Sequence, residues 1–340
     1  MKATPAALAA TLLLATPFLA APAAAQDAAP GADIFERLDG VGIKLNGYFE
    51  FAASYLKQGD EKTSDFSLAE IDLGFNIQLA DKLSAEIVLI YEDGDEDGVS
   101  IDTAIGTYQF TDELSLSAGR FTVPFGKFET EMLSDPLTLA LGEISSDGVS
   151  AAWETDLLTL TVAVFDSAAI DSDTIETFSA SLEIAPKDGV SFGVSVVSDL
   201  AGGAMSDAVN EALEAGGGYS KAAGVSAFAK AAFGIATLSA EYVGAVDDME
   251  ITDAEGGIYA AKPQAWFAEL SLALADDVTA ALRYEGSKDF LPEEMPESIF
   301  GAAVKYAFLE NATLGLEYLV GKVKEGDDLH QVTANIVLEF

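Results

Sequence analysis

His330-Gln331-Val332-Thr333-Ala334-Asn335-Ile336-Val337-Leu338-Glu339-Phe340 is the stretch whose reading decides the fold. Val332, Ala334, Ile336, Leu338 and Phe340 occupy one phase, and Gln331, Thr333, Asn335 and Glu339 the other, with Val337 its single apolar member. Side chains change face at every residue of a strand, so this segment is extended, with one apolar and one mostly polar side. The chain stops on the apolar phase, on an aromatic residue. The edge strand of a soluble sandwich alternates in the same way, so the rest of the chain has to decide between them.

The alternation recurs from Val41 onward. The predicted strands are 41–57, 66–79, 83–93, 99–110, 113–122, 147–154, 157–166, 175–185, 189–199, 221–232, 235–247, 263–275, 278–288, 298–308, 312–323 and 330–340. Ile71, Leu73, Phe75, Ile77 and Leu79 interleave with Asp72, Gly74, Asn76 and Gln78; Phe192, Val194 and Val196 interleave with Ser191, Gly193 and Ser195. The polar phase is rich in Gly, Ser, Thr and Ala, whereas the outer face of a sandwich carries Lys, Glu and Thr freely. Two phases of this kind imply two solvents, and the lengths suit strands crossing a bilayer at a tilt. Connections alternate as well. Tight turns such as Thr111–Asp112, Thr155–Asp156, Gly234 and Asp276–Asp277 separate longer acidic stretches such as Gln58–Asp65, Glu92–Gly98, Asp199–Ser220 and Asp248–Lys262. A Greek-key sandwich has no reason to keep that order. The expected fold is therefore all-β: a transmembrane antiparallel up-and-down barrel of about sixteen strands, both ends on one side, wide enough for an aqueous lumen.

The other end of the chain agrees. Lys2, an apolar run from Ala6 to Ala20 and Ala23-Ala24-Ala25 read as a cleavable signal peptide over 1–25, followed by a short periplasmic segment at 26–40 and the barrel at 41–340. The expected location is the bacterial outer membrane. There are no cysteines, so a closed ladder of backbone hydrogen bonds has to hold the exported chain. A net charge of −40 excludes ordinary nucleic-acid binding. The terminal strand resembles the closing strand of outer-membrane barrels, which implies that Phe340 is read by the barrel assembly machinery.

One connection differs from the rest. Gly119–Ile144 reads GRFTVPFGKFETEMLSDPLTLALGEI, and its Leu137–Leu141 piece is too apolar for a solvated loop. It is expected to fold into the lumen and narrow it, with Arg120, Phe121, Pro124, Phe125, Lys127 and Phe128 as the constriction candidates. A loop that caps the rim or meets a neighbouring subunit is the alternative. Here GRFTVPFGKFET followed by SDPLTLALGE resembles the LbtU-type siderophore porins, with looser similarity in LNGYFEFAASY at 45–55 and AEIDLGFNIQL at 69–79. The Gly-Arg/Lys…Pro-Phe-Gly pattern also occurs in phosphate-type porins. The resemblance implies plug-free passage of ferric siderophores, and the stretch between Gln26 and Val41 is too short for a plug domain. It implies no particular binding residues.

Charge on the lipid face costs about 2–4 kcal/mol for Lys or Arg at the midplane, so the charged strand residues Lys44, Arg283, Glu285, Lys305, Glu317 and Lys322, with Lys230, are assigned to the lumen. They either contact solute or form salt bridges that stiffen the wall. Arg120 shares its phase with Leu114 and Leu116 and would need a bulge near Gly119 to turn inward. In Glu92–Gly98, Asp93, Asp95, Asp97 and Gly98 imitate the start of an EF-hand loop, but Ala104 stands where the twelfth-position Glu belongs, so no metal site or cofactor is assigned. Acidic loops instead suit divalent cations bridging to lipopolysaccharide phosphates. His330 is the single histidine and no nucleophile motif accompanies it, so an enzyme is not expected. The functional expectation is a porin for small solutes or ferric siderophores, cation-preferring because of its acidic mouth, with a homotrimer as the candidate assembly. A plugged structural or adhesive barrel is the competing class.

Overall fold

Two solvents for two phases become the two faces of one closed sheet. The computed structural model describes residues 42–94, 98–166, 175–203, 206–252, 257–289, 295–323 and 326–340. The signal peptide, the 26–40 segment and Asp95–Asp97 of the calcium-like stretch lie outside these residues. The wall is built from β1 (Ile43–Gln58), β2 (Glu61–Ala80), β3 (Leu83–Glu92), β4 (Ser100–Gln109), β5 (Leu114–Thr122), β6 (Ser145–Glu154), β7 (Leu158–Phe165), β8 (Thr177–Lys187) and β9 (Val190–Val197). It continues through β11 (Gly224–Phe233), β12 (Ala236–Ala245), β15 (Gln264–Ala275), β16 (Val278–Lys288), β17 (Ser298–Leu309), β18 (Ala312–Lys322) and β19 (Leu329–Glu339). Each strand pairs antiparallel with its neighbours in the wall, and β19 pairs with β1 from Tyr48↔Glu339 to Gln58↔Leu329, which closes a sixteen-stranded barrel. No edge is left over. At the seam, Gly47 exchanges backbone hydrogen bonds with Phe340, and a Cβ on Gly47 would overlap the Phe340 ring.

The outward phase is apolar around the circumference. Phe66, Val164, Phe192, Val194, Phe300, Leu316 and Leu338 are all exposed on it, a surface suited to hydrocarbon and not to water. Tyr242, Trp266, Tyr284 and Tyr318 share that face.

Two features differ from the sequence expectation. Gln58–Asp65, expected as an acidic loop, is the tip of the β1–β2 hairpin: Leu56↔Thr63, Lys57↔Lys62 and Gln58↔Glu61 pair, and Gly59 at φ 60° permits the turn. The β9–β11 and β12–β15 connections also carry structure of their own. A helix at Ser206–Glu214, where residues 206–215 read as a short helix, sits there with a three-stranded sheet that the sequence did not suggest, of β10 (Gly218–Ser220), β13 (Met249–Thr252) and β14 (Ile258–Ala261). Val209, Met249, Ile251, Leu200 and Ala222 from these connections share one apolar cluster with Phe165 and Val197 of the wall and with Val123, Phe125, Leu141 and Ile144 of the β5–β6 connection. The core thus fills one side of the barrel's mouth.

Candidate pore constriction

The β5–β6 connection folds into the lumen, as its apolar centre requires. Val123 N–H donates to Ile144 O (2.7 Å) and closes the base of the loop. Leu137 to Leu141, with Gly142, form the helix α1 (Leu137–Gly142), which packs on β12, β15 and β16 and buries Leu137, Thr138 and Leu141. No side chain of its own caps α1; Leu137 N–H donates instead to Glu285 Oε2 on the wall (2.8 Å).

That bond is one of a series. Four wall carboxylates, Glu241, Glu269, Glu285 and Glu317, are at most 4% exposed and accept from the loop. Glu241 takes Lys127 N–H (2.7 Å), Phe128 N–H (2.9 Å) and the Thr138 hydroxyl (3.2 Å). Glu269 takes the Thr130 hydroxyl (2.5 Å) and Glu131 N–H (2.8 Å), and Glu317 takes Leu133 N–H (2.8 Å) and Ser134 N–H (3.2 Å). Arg283, 1% exposed, donates to Glu285 (3.0 Å), to Ser134 O (2.8 Å), to Asp135 O (3.1 Å) and to the Ser134 and Thr130 hydroxyls (both 3.0 Å). Bonds to ionised groups are worth about 1.5–3 kcal/mol each. A loop without a sheet of its own is therefore fixed to the wall by its backbone.

Further ion pairs follow the same line. Lys127 meets Glu183 of β8 (3.1 Å) and Glu129 (3.4 Å), Lys230 of β11 meets Glu129 (2.7 Å), and Lys305 of β17 meets Glu131. Partners from β8 through β18 show that the loop lies along that part of the wall. The open lumen is the crescent between the loop and β1–β5.

The candidate residues divide accordingly. Phe121 and Phe125 are buried, and Phe128 packs on the same cluster, so these rings fill the gap between loop and wall. Pro124 is half-buried beside them. Lys127 is exposed but ion-paired. Arg120 is a correction: the ladders Ala104↔Arg120 and Arg120↔Asp147 run through Gly119 without a bulge, so alternation puts Arg120 on the outer face, bonded to Asp147 (2.9 Å). Lys322 is a second: it shares the phase of the exposed Leu316 and Tyr318 and points outward at the end of β18. Lys44 has the inward phase and lines a cavity of about 490 Å³ with Asn76, Gln78, Glu86 and Thr107. Glu241 and Glu269 were not singled out by the sequence; the only signal was an acid in the inward phase of an otherwise apolar strand.

The crescent itself is acidic on both sides. From the loop, Asp135 and Glu143 reach the lumen surface. Asp135 has Glu50 and Glu317 as charged neighbours, and Glu143 has Asp102 and Glu92. On the wall, Glu50, Glu70 and Asp72 have the inward phase, and Glu70 has Asp72, Glu92, Glu50 and Asp135 around it. The cation beside Asp135, Arg283, is spent on the loop, and Lys44 lies further along β1 beside Glu86.

Displacement of bulk water by the surrounding wall pushes the carboxyls of Asp135 and Glu143 up, and their acidic neighbours add to it. Arg283 opposes the rise at Asp135 without cancelling it. A carboxyl with a raised pKa takes up its proton earlier as pH falls. Cation preference should therefore begin to decline, as pH falls, while still above the ordinary carboxylate range of about 4. Reversal potentials at about pH 7 and about pH 5 read this directly; equal selectivity at both contradicts it.

Backbone conformation at the loop's start is equally specific. Gly126 sits at φ 80° and Phe128 at φ 59°, and a Cβ on Gly126 would overlap the Phe128 ring. Gly126→Ala should cost about 1–3 kcal/mol and appear as a lower Tm with faster proteolysis within the loop. An unchanged Tm would mean the loop is not fixed in this conformation.

A closed sixteen-stranded antiparallel barrel with one connection folded into its lumen is the architecture of the outer-membrane porins. The chain is similar to the outer-membrane channel DcaP of Acinetobacter baumannii (TM-score 0.65, 14% identity, 88% of this chain and 97% of that one). It is also similar to OmpF of Salmonella typhi (0.63, 14%, 89% and 98%) and to an anion-selective porin from Comamonas acidovorans (0.62, 11%, 88% and 99%). No protein-family model and no curated protein matches the sequence. Identities this low establish the fold alone, and a neighbour described as anion-selective shows that selectivity has to be argued from this chain's own side chains.

Proposed function

We propose that the protein is an outer-membrane diffusion channel that passes small hydrophilic solutes through the crescent between the β5–β6 loop and β1–β5, and that it prefers cations. The single observation carrying the preference is the composition of that crescent. Asp135 and Glu143 on the loop face Glu50, Glu70, Asp72 and Asp102 on the wall, while Lys127, Lys230, Arg283 and Lys305 are held in ion pairs; Lys44, which joins no ion pair among the described residues, lines the same side of the wall with Glu86 and is outnumbered there by carboxylates. Opposed rings of one sign raise the local concentration of counter-ions and exclude co-ions. The apolar exterior supports the membrane location, and a loop pinned at buried charges supports a permanent narrowing over a mobile gate.

A narrower reading, ferric siderophore passage, is supported by the resemblance over Gly119–Glu143 alone. Proteoliposome swelling separates the two. Matched cationic, neutral and anionic solutes should enter in that order of rate, and equal rates would overturn the preference. Siderophore passage requires entry of ferric chelates together with poorer growth of a deletion strain on chelated iron. Unchanged growth alongside reduced uptake of small hydrophilic solutes would leave the general channel only.

A further inference from the structure

The outer rim of β1, β2, β18 and β19 carries a group of basic side chains that the pore does not use. Lys62 pairs across the ladder with Lys57, Lys57 with His330, and His330 with Val320. All lie in the outward phase, that of Phe66, Tyr55 and Val332. Lys322, two residues beyond Val320, has the same phase. Lys57, Lys62 and Lys322 are exposed, and none of the four joins an ion pair among the described residues.

In a chain with 17 basic and 57 acidic residues, this arrangement needs a cause. Like charges directly opposite one another on a sheet are destabilising. Acids nearby do not neutralise the row: Glu61 is opposite Gln58 in the inward phase, Asp327 lies against Gly59 at the hairpin tip, and the exposed Asp328, next to Lys322 by the β18–β19 register, joins no ion pair among the described residues. The next row toward the middle of the barrel is aromatic. Tyr55 and Tyr318 flank Val332, and the Tyr318 hydroxyl lies 2.9 Å from His330 Nδ1. The stacked Phe51 and Phe66 lie on the same face closer to the barrel's middle. A basic row above an aromatic girdle sits where lipid headgroups meet hydrocarbon.

We propose that Lys62, Lys57 and His330, with Lys322 beside them, bind the phosphorylated headgroup of a lipid of the outer leaflet, whose acyl chains lie along the aromatic and aliphatic surface of β1, β18 and β19. The phosphate relieves the repulsion between the two paired lysines, and the His330–Tyr318 contact holds the imidazole at the edge of the row. This binding rests on the barrel spanning a membrane, but not on its conducting ions. It differs from the sequence-based expectation, in which acidic loops reach lipid phosphates through divalent cations.

The test uses the full-length protein in detergent with a bis-phosphorylated lipid A-type glycolipid, its dephosphorylated analogue, and inorganic phosphate as competitor, with retention read by native mass spectrometry. The wild type should retain the phosphorylated lipid in preference to the analogue, in the presence of chelator. K57Q, K62Q and K322Q should each weaken retention by roughly fivefold. Conductance in planar bilayers serves as the folding control and should not change. Equal retention of the two lipids, or unaltered retention by the triple variant, would overturn the proposal. So would full displacement by inorganic phosphate, which would reveal a free-anion site, or dependence on a divalent cation. A wild type that retains lipid in this way and yet conducts nothing would count against the channel and in favour of the lipid site.

Discussion

Converting Glu50, Glu70, Asp72 and Asp135 to their amides is expected to abolish most of the channel's preference for cations, lowering the cation-to-anion permeability ratio on the order of tenfold. The amides keep the shape of the crescent, so its bore and single-channel conductance at high salt should stay close to the wild type's. These four lie on opposite banks, Asp135 on the loop and the others on β1 and β2, with no free Lys or Arg among their charged neighbours. The effect should shrink as salt rises, because a Debye length of about 3 Å at 1 M no longer spans the gap. Glu241 and Glu317 are acids too, but they are buried against the loop, so removing them should act through its position. If the quadruple variant kept its permeability ratio at low salt, the assignment of selectivity to the crescent would be wrong.

Arg283→Met should have the other large effect, on the loop itself. Its guanidinium donates to two loop carbonyls, two loop hydroxyls and Glu285, all from a 1% exposed position. Losing it leaves Glu285 as a buried charge with Leu137 N–H as its remaining bond here, and breaking one side of such a pair costs about 3–5 kcal/mol. The wall ladders do not depend on Arg283, so the barrel should still close while the loop detaches. The expected readouts are a lower Tm, proteolysis between Lys127 and Asp135, and a higher, noisier conductance. Adding Glu285→Leu removes the stranded charge and should restore part of the Tm without restoring the loop's carbonyl contacts. Wild-type Tm and conductance in R283M would mean that the loop is held mainly by its apolar packing of Phe125, Leu141 and Ile144.

What could be read from the sequence follows from the range of each interaction. Strand phase is local: alternate residues such as Leu73, Phe75 and Ile77 meet one solvent, and Asp72, Gly74 and Asn76 meet the other, whatever lies across the barrel. The inward loop was legible for the same reason, since a stretch with Leu137, Leu139, Ala140 and Leu141 in five residues is too apolar to remain in water. The wall acids were not. Glu241 is 114 positions from Lys127, and Glu317 is 184 from Leu133, so no spacing announces their bonds. Glu285 and Glu317 were assigned to the lumen side, yet nothing in a single chain of letters distinguishes a carboxylate that meets solute from one that meets backbone. Arg120 went the other way because a glycine beside it suggested a bulge. Gly119 takes φ 137°, but both of its ladders continue in register. The hairpin tip at Gln58–Asp65 shows the limit of composition: charged residues that look like a loop also alternate, and Gly59-Asp60 suffices to turn them.

The most direct test of the whole account is the reversal potential of the wild-type protein in a planar bilayer under a potassium chloride gradient at neutral pH. A water-filled crescent between two acidic banks predicts stable channels whose reversal potential lies toward that of potassium. Absence of channels, or a potential on the chloride side, would contradict it.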